Sequence, residues 1–174
     1  MEKQEAKRVI CVLTHNNYGV LARISSMFCR RSFNIIGIAA DVTEDPTISR
    51  ITITVSSDEK KLKQIIKQTE ALQDVIEVRL LEEDERLEYE LMMVKVAANQ
   101  NNRNELREIA DIYKAKIVDL TPVSMVMVIT GKPRKIAGFM DMMRGYEILE
   151  VCRTGCTAMQ RGPEHMTSVK DIVK

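Results

Sequence analysis

Aromatic side chains make up only 4% of this 174-residue chain, with three Phe, four Tyr and no Trp. Modules that bind single-stranded RNA stack bases on strand aromatics. That scarcity, with a net charge of only +1, argues against a nucleic-acid partner. The two histidines, His15 and His165, lack metal-ligand spacing to the four cysteines, Cys11, Cys29, Cys152 and Cys156. No metal site is expected, and the cysteines read as reduced, unligated thiols. No apolar run approaches the roughly 20 residues that span a bilayer. The start, Met1-Glu2-Lys3-Gln4-Glu5, lacks the apolar core of a signal peptide. The expected compartment is therefore the cytosol, with no membrane partner. There is no G-x-G-x-x-G, no P-loop and no nucleophile–base pair, so no catalytic residue is expected.

What is present is amphipathic order. Val9, Ile10, Val12 and Leu13 form a strand pattern. Val20, Leu21, Ile24, Met27 and Phe28 then recur at helical spacing, with Arg23, Ser26 and Arg30 on the outer face. A second strand runs from Phe33 to Val42, and Asp45-Pro46-Thr47 is a turn. Ile51, Ile53 and Val55 alternate with Thr52 and Thr54, as in a strand with one buried face. Asp58 can cap a helix bearing Leu62, Ile65, Ile66 and Thr69, and Ile76, Val78 and Leu80 close the set.

The order then repeats. After the charged run Glu82-Glu83-Asp84-Glu85-Arg86 comes a strand from Leu87 to Val96. Asn102 and Glu105 resemble a capping box ahead of Leu106, Ile109, Ala110 and Tyr113. Strands over Ile117 to Leu120 and Met125 to Ile129 flank Pro122. Pro133 opens a helix with Ile136, Phe139, Met140 and Met143, and Tyr146 to Cys152 forms the last strand. Each half reads as the β-α-β-β-α-β split unit, so the fold class is α+β, two tandem ferredoxin-like domains. The expected divisions are an extension over 1–7, a domain over 8–82, a linker over 83–86, a second domain over 87–160 and a flexible tail over 161–174.

In this topology the second strand is a sheet edge. It is apolar in both registers (Phe33, Ile35, Ala39 and Ile36, Ile38, Ala40), carries no Pro or Lys, and has Gly37 for close approach. Edge-to-edge pairing into a homodimer is expected, and the open sheet face must be solvated or covered by a partner.

The stretch Thr14-His15-Asn16-Asn17-Tyr18-Gly19-Val20-Leu21, with Asn34-Ile35-Ile36 later, is the chemical signature. A strand ends in a polar loop that closes on glycine where a helix begins. Free N–H groups and the positive dipole end suit a small anion carrying an apolar side chain. This reads as a sensor, not a catalyst.

The chain resembles the regulatory (small) subunits of acetohydroxyacid synthase, also called acetolactate synthase, from about Arg8 to Gly162. The resemblance rests on Asn16-Asn17-Tyr18-Gly19-Val20-Leu21-Ala22-Arg23, Arg31-Ser32-Phe33-Asn34-Ile35 and Asp45-Pro46-Thr47-Ile48-Ser49-Arg50-Ile51-Thr52-Ile53. In the second half it rests on Glu90-Leu91-Met92-Met93-Val94-Lys95-Val96, Lys116-Ile117-Val118-Asp119-Leu120-Thr121-Pro122 and Glu150-Val151-Cys152-Arg153-Thr154-Gly155. Asn-x-x-Gly-Val-Leu alone would indicate only an amino-acid-binding ACT domain. Ser32, where glycine is usual, and Tyr18, where a smaller residue or proline is usual, depart from the pattern.

The resemblance implies an N-terminal ACT domain and a C-terminal ACT-like domain. It also implies binding of valine or a related branched-chain amino acid between the first domains of two subunits, and feedback control of a catalytic subunit. Thiamine diphosphate, Mg2+ and FAD would belong to that catalytic partner and none to this chain. The effector residues it implies are Asn16, Gly19, Val20, Leu21, Asn34 and Ile35. Plainer roles stay open: Gly19 as a turn glycine, Asn16 as a turn or cap residue, Asn34 as a buried structural amide. A free-standing ACT-type sensor is the alternative function.

Overall fold

A computed structural model describes residues 7–31 and 33–172. Ser32 and most of the expected N-terminal extension lie outside the described residues. The first strand, β1 (Lys7–His15), buries Ile10 and Val12 on one face and Val9, Cys11 and Leu13 on the other. A strand apolar on both faces belongs inside a sheet. It is followed by α1 (Val20–Arg30), β2 (Asn34–Val42), β3 (Ile48–Ser56), α2 (Glu59–Glu70) and β4 (Val75–Leu81). The sheet order is β2-β3-β1-β4, antiparallel throughout, so β2 is an edge as expected. The two helices press Ile24, Phe28, Leu62 and Ile65 onto one face. Each such side chain, fully buried, contributes about 1.5–3 kcal/mol. Asp58 caps α2, its carboxylate accepting from the Lys61 N–H at 2.8 Å.

The second unit, Glu88–Gly155, repeats this order. Its elements are β5 (Arg86–Ala97), α3 (Arg103–Tyr113), β6 (Lys116–Leu120), β7 (Ser124–Gly131), α4 (Pro133–Met143) and β8 (Ile148–Gln160). The sheet order β6-β7-β5-β8 is that of the first sheet. Its core gathers Met92, Val94, Leu106, Met125, Met127, Ile136 and Phe139. The Tyr113 ring meets Phe139 edge-on at 5.4 Å. Arg153 forks onto the buried Glu90 carboxylate at 2.5 and 2.8 Å.

Several expectations need correction. The span 83–86 is not a free linker: residues 83–85 form a turn, and Arg86 opens β5, is buried, and donates to the Leu81 carbonyl at 2.9 Å. The second compact unit ends at Gly155, within the long strand β8 and at φ +77°, and residues 156–172 group with the first unit. The tail over 161–172 is packed. Ala158, Met166 and Val169 bury against Val9, Cys11, Leu13, Ile48 and Leu81, on the sheet face opposite the helices. A short helix, α5 (Val169–Ile172), ends it. Glu77 accepts from the Thr167 N–H and hydroxyl at 2.6 and 2.7 Å, and Arg79 donates to the His165 carbonyl at 2.9 Å. Residues 158–169 thus cover part of a sheet face that had been expected to be solvated or covered by a partner.

Cys29 is exposed, whereas Cys11 is buried. No helix among the described residues is long and apolar enough to cross a membrane.

Candidate effector-binding site

The loop between β1 and α1 is pinned from several sides. The His15 N–H donates to the Asp74 carbonyl at 2.8 Å and the Asn16 N–H to the Thr47 carbonyl at 2.6 Å. The Asn16 amide donates to the Pro46 carbonyl at 2.8 Å, and the Asn17 amide to the Asp74 carboxylate at 2.8 Å. Arg23 closes the ring with an ion pair to that carboxylate. The Asn17 amide and then the Arg23 guanidinium hold the Asp74 carboxyl below its ordinary range.

Gly19 ends the loop at φ +79°, a left-handed conformation that favours glycine, and the helix starts with no side-chain cap. The Val20 N–H reaches the Asn17 carbonyl and the Arg23 N–H the Gly19 carbonyl. Among the described residues nothing accepts from the N–H groups of Leu21 and Ala22. These donors, at the positive end of the helix dipole, suit a carboxylate.

They open on a cavity of about 780 Å³ whose wall includes Val20, Leu21, Ala40, Val42 and Ile51. Thr14, Ser25, Ser49 and Asp41 supply polar groups around it. Asp41 accepts from the Val42 N–H at 2.8 Å and stands directly across the β2–β3 ladder from Arg50. A positive helix end and an aliphatic wall in one cavity match the carboxylate and the side chain of an apolar α-amino acid.

Four sequence-derived residues meet here: Asn16, Gly19, Val20 and Leu21. Leu21, read both as part of the apolar helix face and as an effector residue, is half-exposed and lines the cavity. Asn34 and Ile35 do not line it. Asn34 is exposed at the start of β2, so it is no buried structural amide, and Ile35 packs toward the helix-side core. Asn16 takes the turn role, since its amide is spent on Pro46, leaving its oxygen free to accept. Tyr18 is fully exposed and borders the cavity. Thr14, Asp41 and Ser49 were missed. Among the described residues no three His, Cys, Asp or Glu side chains gather as metal ligands.

Tandem ferredoxin-like units, the first with an open ligand-sized corner at a glycine-started helix, define an ACT-type two-domain protein. Family profiles agree: residues 10–77 match the AHAS small subunit-like ACT domain, and residues 89–162 match the small subunit of acetolactate synthase. A probable acetolactate synthase small subunit of Archaeoglobus fulgidus is 41% identical over 156 residues, covering 90% of this chain and 98% of that one. The acetolactate synthase small subunit of Mycolicibacterium smegmatis is 37% identical, covering 92% and 95%. The crystal structure of the Thermotoga maritima small subunit superposes with a TM-score of 0.84 at 30% identity, covering 91% of this chain and 99% of that one. The chain belongs to the acetolactate synthase small-subunit family.

Proposed function

We infer that this chain is the regulatory subunit of an acetolactate synthase. On this reading it binds valine or another branched-chain amino acid in the α1 cavity and passes that signal to a catalytic subunit. Activation of that subunit and feedback inhibition are two sides of one linkage. The effector favours one arrangement of the small subunit, with a coupling typically of about 1–3 kcal/mol. The catalytic partner would carry thiamine diphosphate, Mg2+ and FAD, and the complex would work in the cytosol. The observation that carries the reading is the pair of free Leu21 and Ala22 N–H groups at a helix start that borders a cavity with an aliphatic wall.

The edge strand supports a homodimer. β2 exposes Ile36 and Val42 and has an unpaired rim. Antiparallel pairing of two β2 strands centred near Gly37 or Ile38 would set the partner copy's strand start opposite residues 40–42. An asparagine equivalent to Asn34 would then reach the cavity from the second copy, which accounts for its distance from the site within one chain.

Isothermal titration calorimetry with valine, with leucine and lysine as comparisons, tests this. Saturable binding of the branched amino acids, no heat from lysine, and valine-dependent activity after reconstitution with a catalytic subunit are expected. Absence of binding by any branched-chain amino acid would sink the effector reading, and a chain that never co-purifies with a synthase would favour a free-standing sensor.

A further inference from the structure

Thr14 breaks the pattern of its strand. On the helix-facing side of β1, Ile10 and Val12 are buried and apolar, and the next residue in that register is a threonine. It is 0% exposed, and its hydroxyl has no hydrogen-bond partner. A buried hydroxyl left unpaired is costly, whereas valine has the same shape and carries no such cost. The core therefore gains nothing from this hydroxyl.

Its position suggests what does. Thr14 borders the α1 cavity with its hydroxyl closed to solvent, so a ligand meets it by a small shift of the corner. It ends the strand that leads into the Gly19 corner. Directly across the β1–β3 ladder stands Ser49, which lines the same cavity. Two hydroxyls thus form a polar floor beneath an aliphatic wall, at the same corner as the free Leu21 and Ala22 N–H groups.

We propose that Thr14 is a ligand-anchoring residue of this cavity, its hydroxyl donating a hydrogen bond to the carboxylate of the bound α-amino acid, with Ser49 beside it. The inference rests on the amino-acid reading of the cavity. The helix N–H groups hold the carboxylate from the loop side and Thr14 from the strand side, which orients the ligand side chain toward Leu21, Ala40 and Val42. The hydroxyl's missing partner is the ligand.

The test combines calorimetry with valine and thermal unfolding for the wild-type chain, Thr14→Val and Thr14→Ser. Thr14→Val should bind roughly 10- to 100-fold more weakly, the range of a hydrogen bond to a charged group. Its Tm without ligand should equal or exceed that of the wild type. Thr14→Ser, which keeps the donor, should bind within a few-fold of wild type. A residue with a purely structural role would show the opposite: lost stability with binding kept in whatever folds. Wild-type affinity in Thr14→Val, or its failure to fold, overturns the assignment of Thr14 alone. A wild-type chain that binds no branched-chain amino acid overturns the cavity reading and this assignment with it.

Discussion

The two corners where a first strand hands over to a first helix follow the same order of elements and end differently. At the first, Gly19 in a left-handed conformation leaves the helix start open, and the loop's polar side chains point back to Pro46 and Asp74. At the second, Asn102 sits in a right-handed conformation and its side chain makes no cap to the helix. Its side-chain oxygen accepts from the Asn99 N–H at 2.8 Å and its amide donates to the Ala97 carbonyl at 3.1 Å. The Arg103 N–H, close to the helix start, is taken by the Asn99 carbonyl at 3.1 Å. Both helix starts leave two N–H groups without an acceptor among the described residues, Leu21 and Ala22 at the first and Asn104 and Glu105 at the second, so the difference lies in the loop: Gly19 is left-handed at one, and Asn102 turns its side chain back onto Ala97 and Asn99 at the other. A duplicated fold can therefore keep its packing and its helix-start donors in both copies while the loops around them diverge.

The most forceful way to break this comparison is to attack the shared part. Phe28→Ala and Phe139→Ala each empty the centre of one core, and each should cost about 3–5 kcal/mol. Hydrogen exchange should show protection lost in the elements around the substituted ring. Loss of protection in both cores from one substitution would mean that the halves are not equivalent packing units.

The next largest effect belongs to the part that differs. Gly19→Asp asks an L-residue to hold φ +79°, brings a Cβ to about 3.2 Å from the Arg23 guanidinium, and sets a carboxylate at the helix start. The left-handed conformation costs roughly 1–2 kcal/mol. Competition with the ligand's own carboxylate should reduce valine affinity by about 100-fold or more, while circular dichroism shows the fold retained. The matching change, Asn102→Gly, should lower stability by a few tenths of a kcal/mol to about 1 kcal/mol without creating a second valine site. Unchanged feedback in Gly19→Asp would remove the first corner from the effector reading.

Legibility from sequence followed the range of each interaction. Helix faces, Pro133 at a helix start and the Asp58 cap were readable because their partners lie within one turn. The Asn102 capping box was not: its side-chain oxygen accepts from the Asn99 N–H behind it instead of from the helix. The covering role of residues 158–169 was invisible, because Met166 and Val169 give too short an apolar signal and their partners, Val9 to Leu13, lie at the other end of the chain. Of the cavity, the loop half was legible through Asn16 and Gly19. The strand half, Thr14, Asp41 and Ser49, depends on cross-strand register, which no local pattern encodes.

The smallest expected effect sharpens the comparison through pH. The first loop is held by a carboxylate, Asp74, whereas the hydrogen bonds that hold the second use only amides, a guanidinium and backbone groups. Asp74 stays ionised to lower pH in the folded chain than its ordinary 3.8, because the Asn17 amide and the Arg23 guanidinium favour the charged form. A carboxyl held down in this way contributes stability that is complete above its unfolded value and is lost as pH falls through the folded one. Acidification from pH 6 should leave amide resonances of residues 15–19 in place until below about pH 4, then shift them as the ring to Asn17 and Arg23 opens, while residues 98–102 stay put over the same range. Asp74→Asn should bring the low-pH positions to neutral pH. Equal movement of both loops would mean that acid acts on the fold as a whole and that Asp74 has no special hold on the open corner.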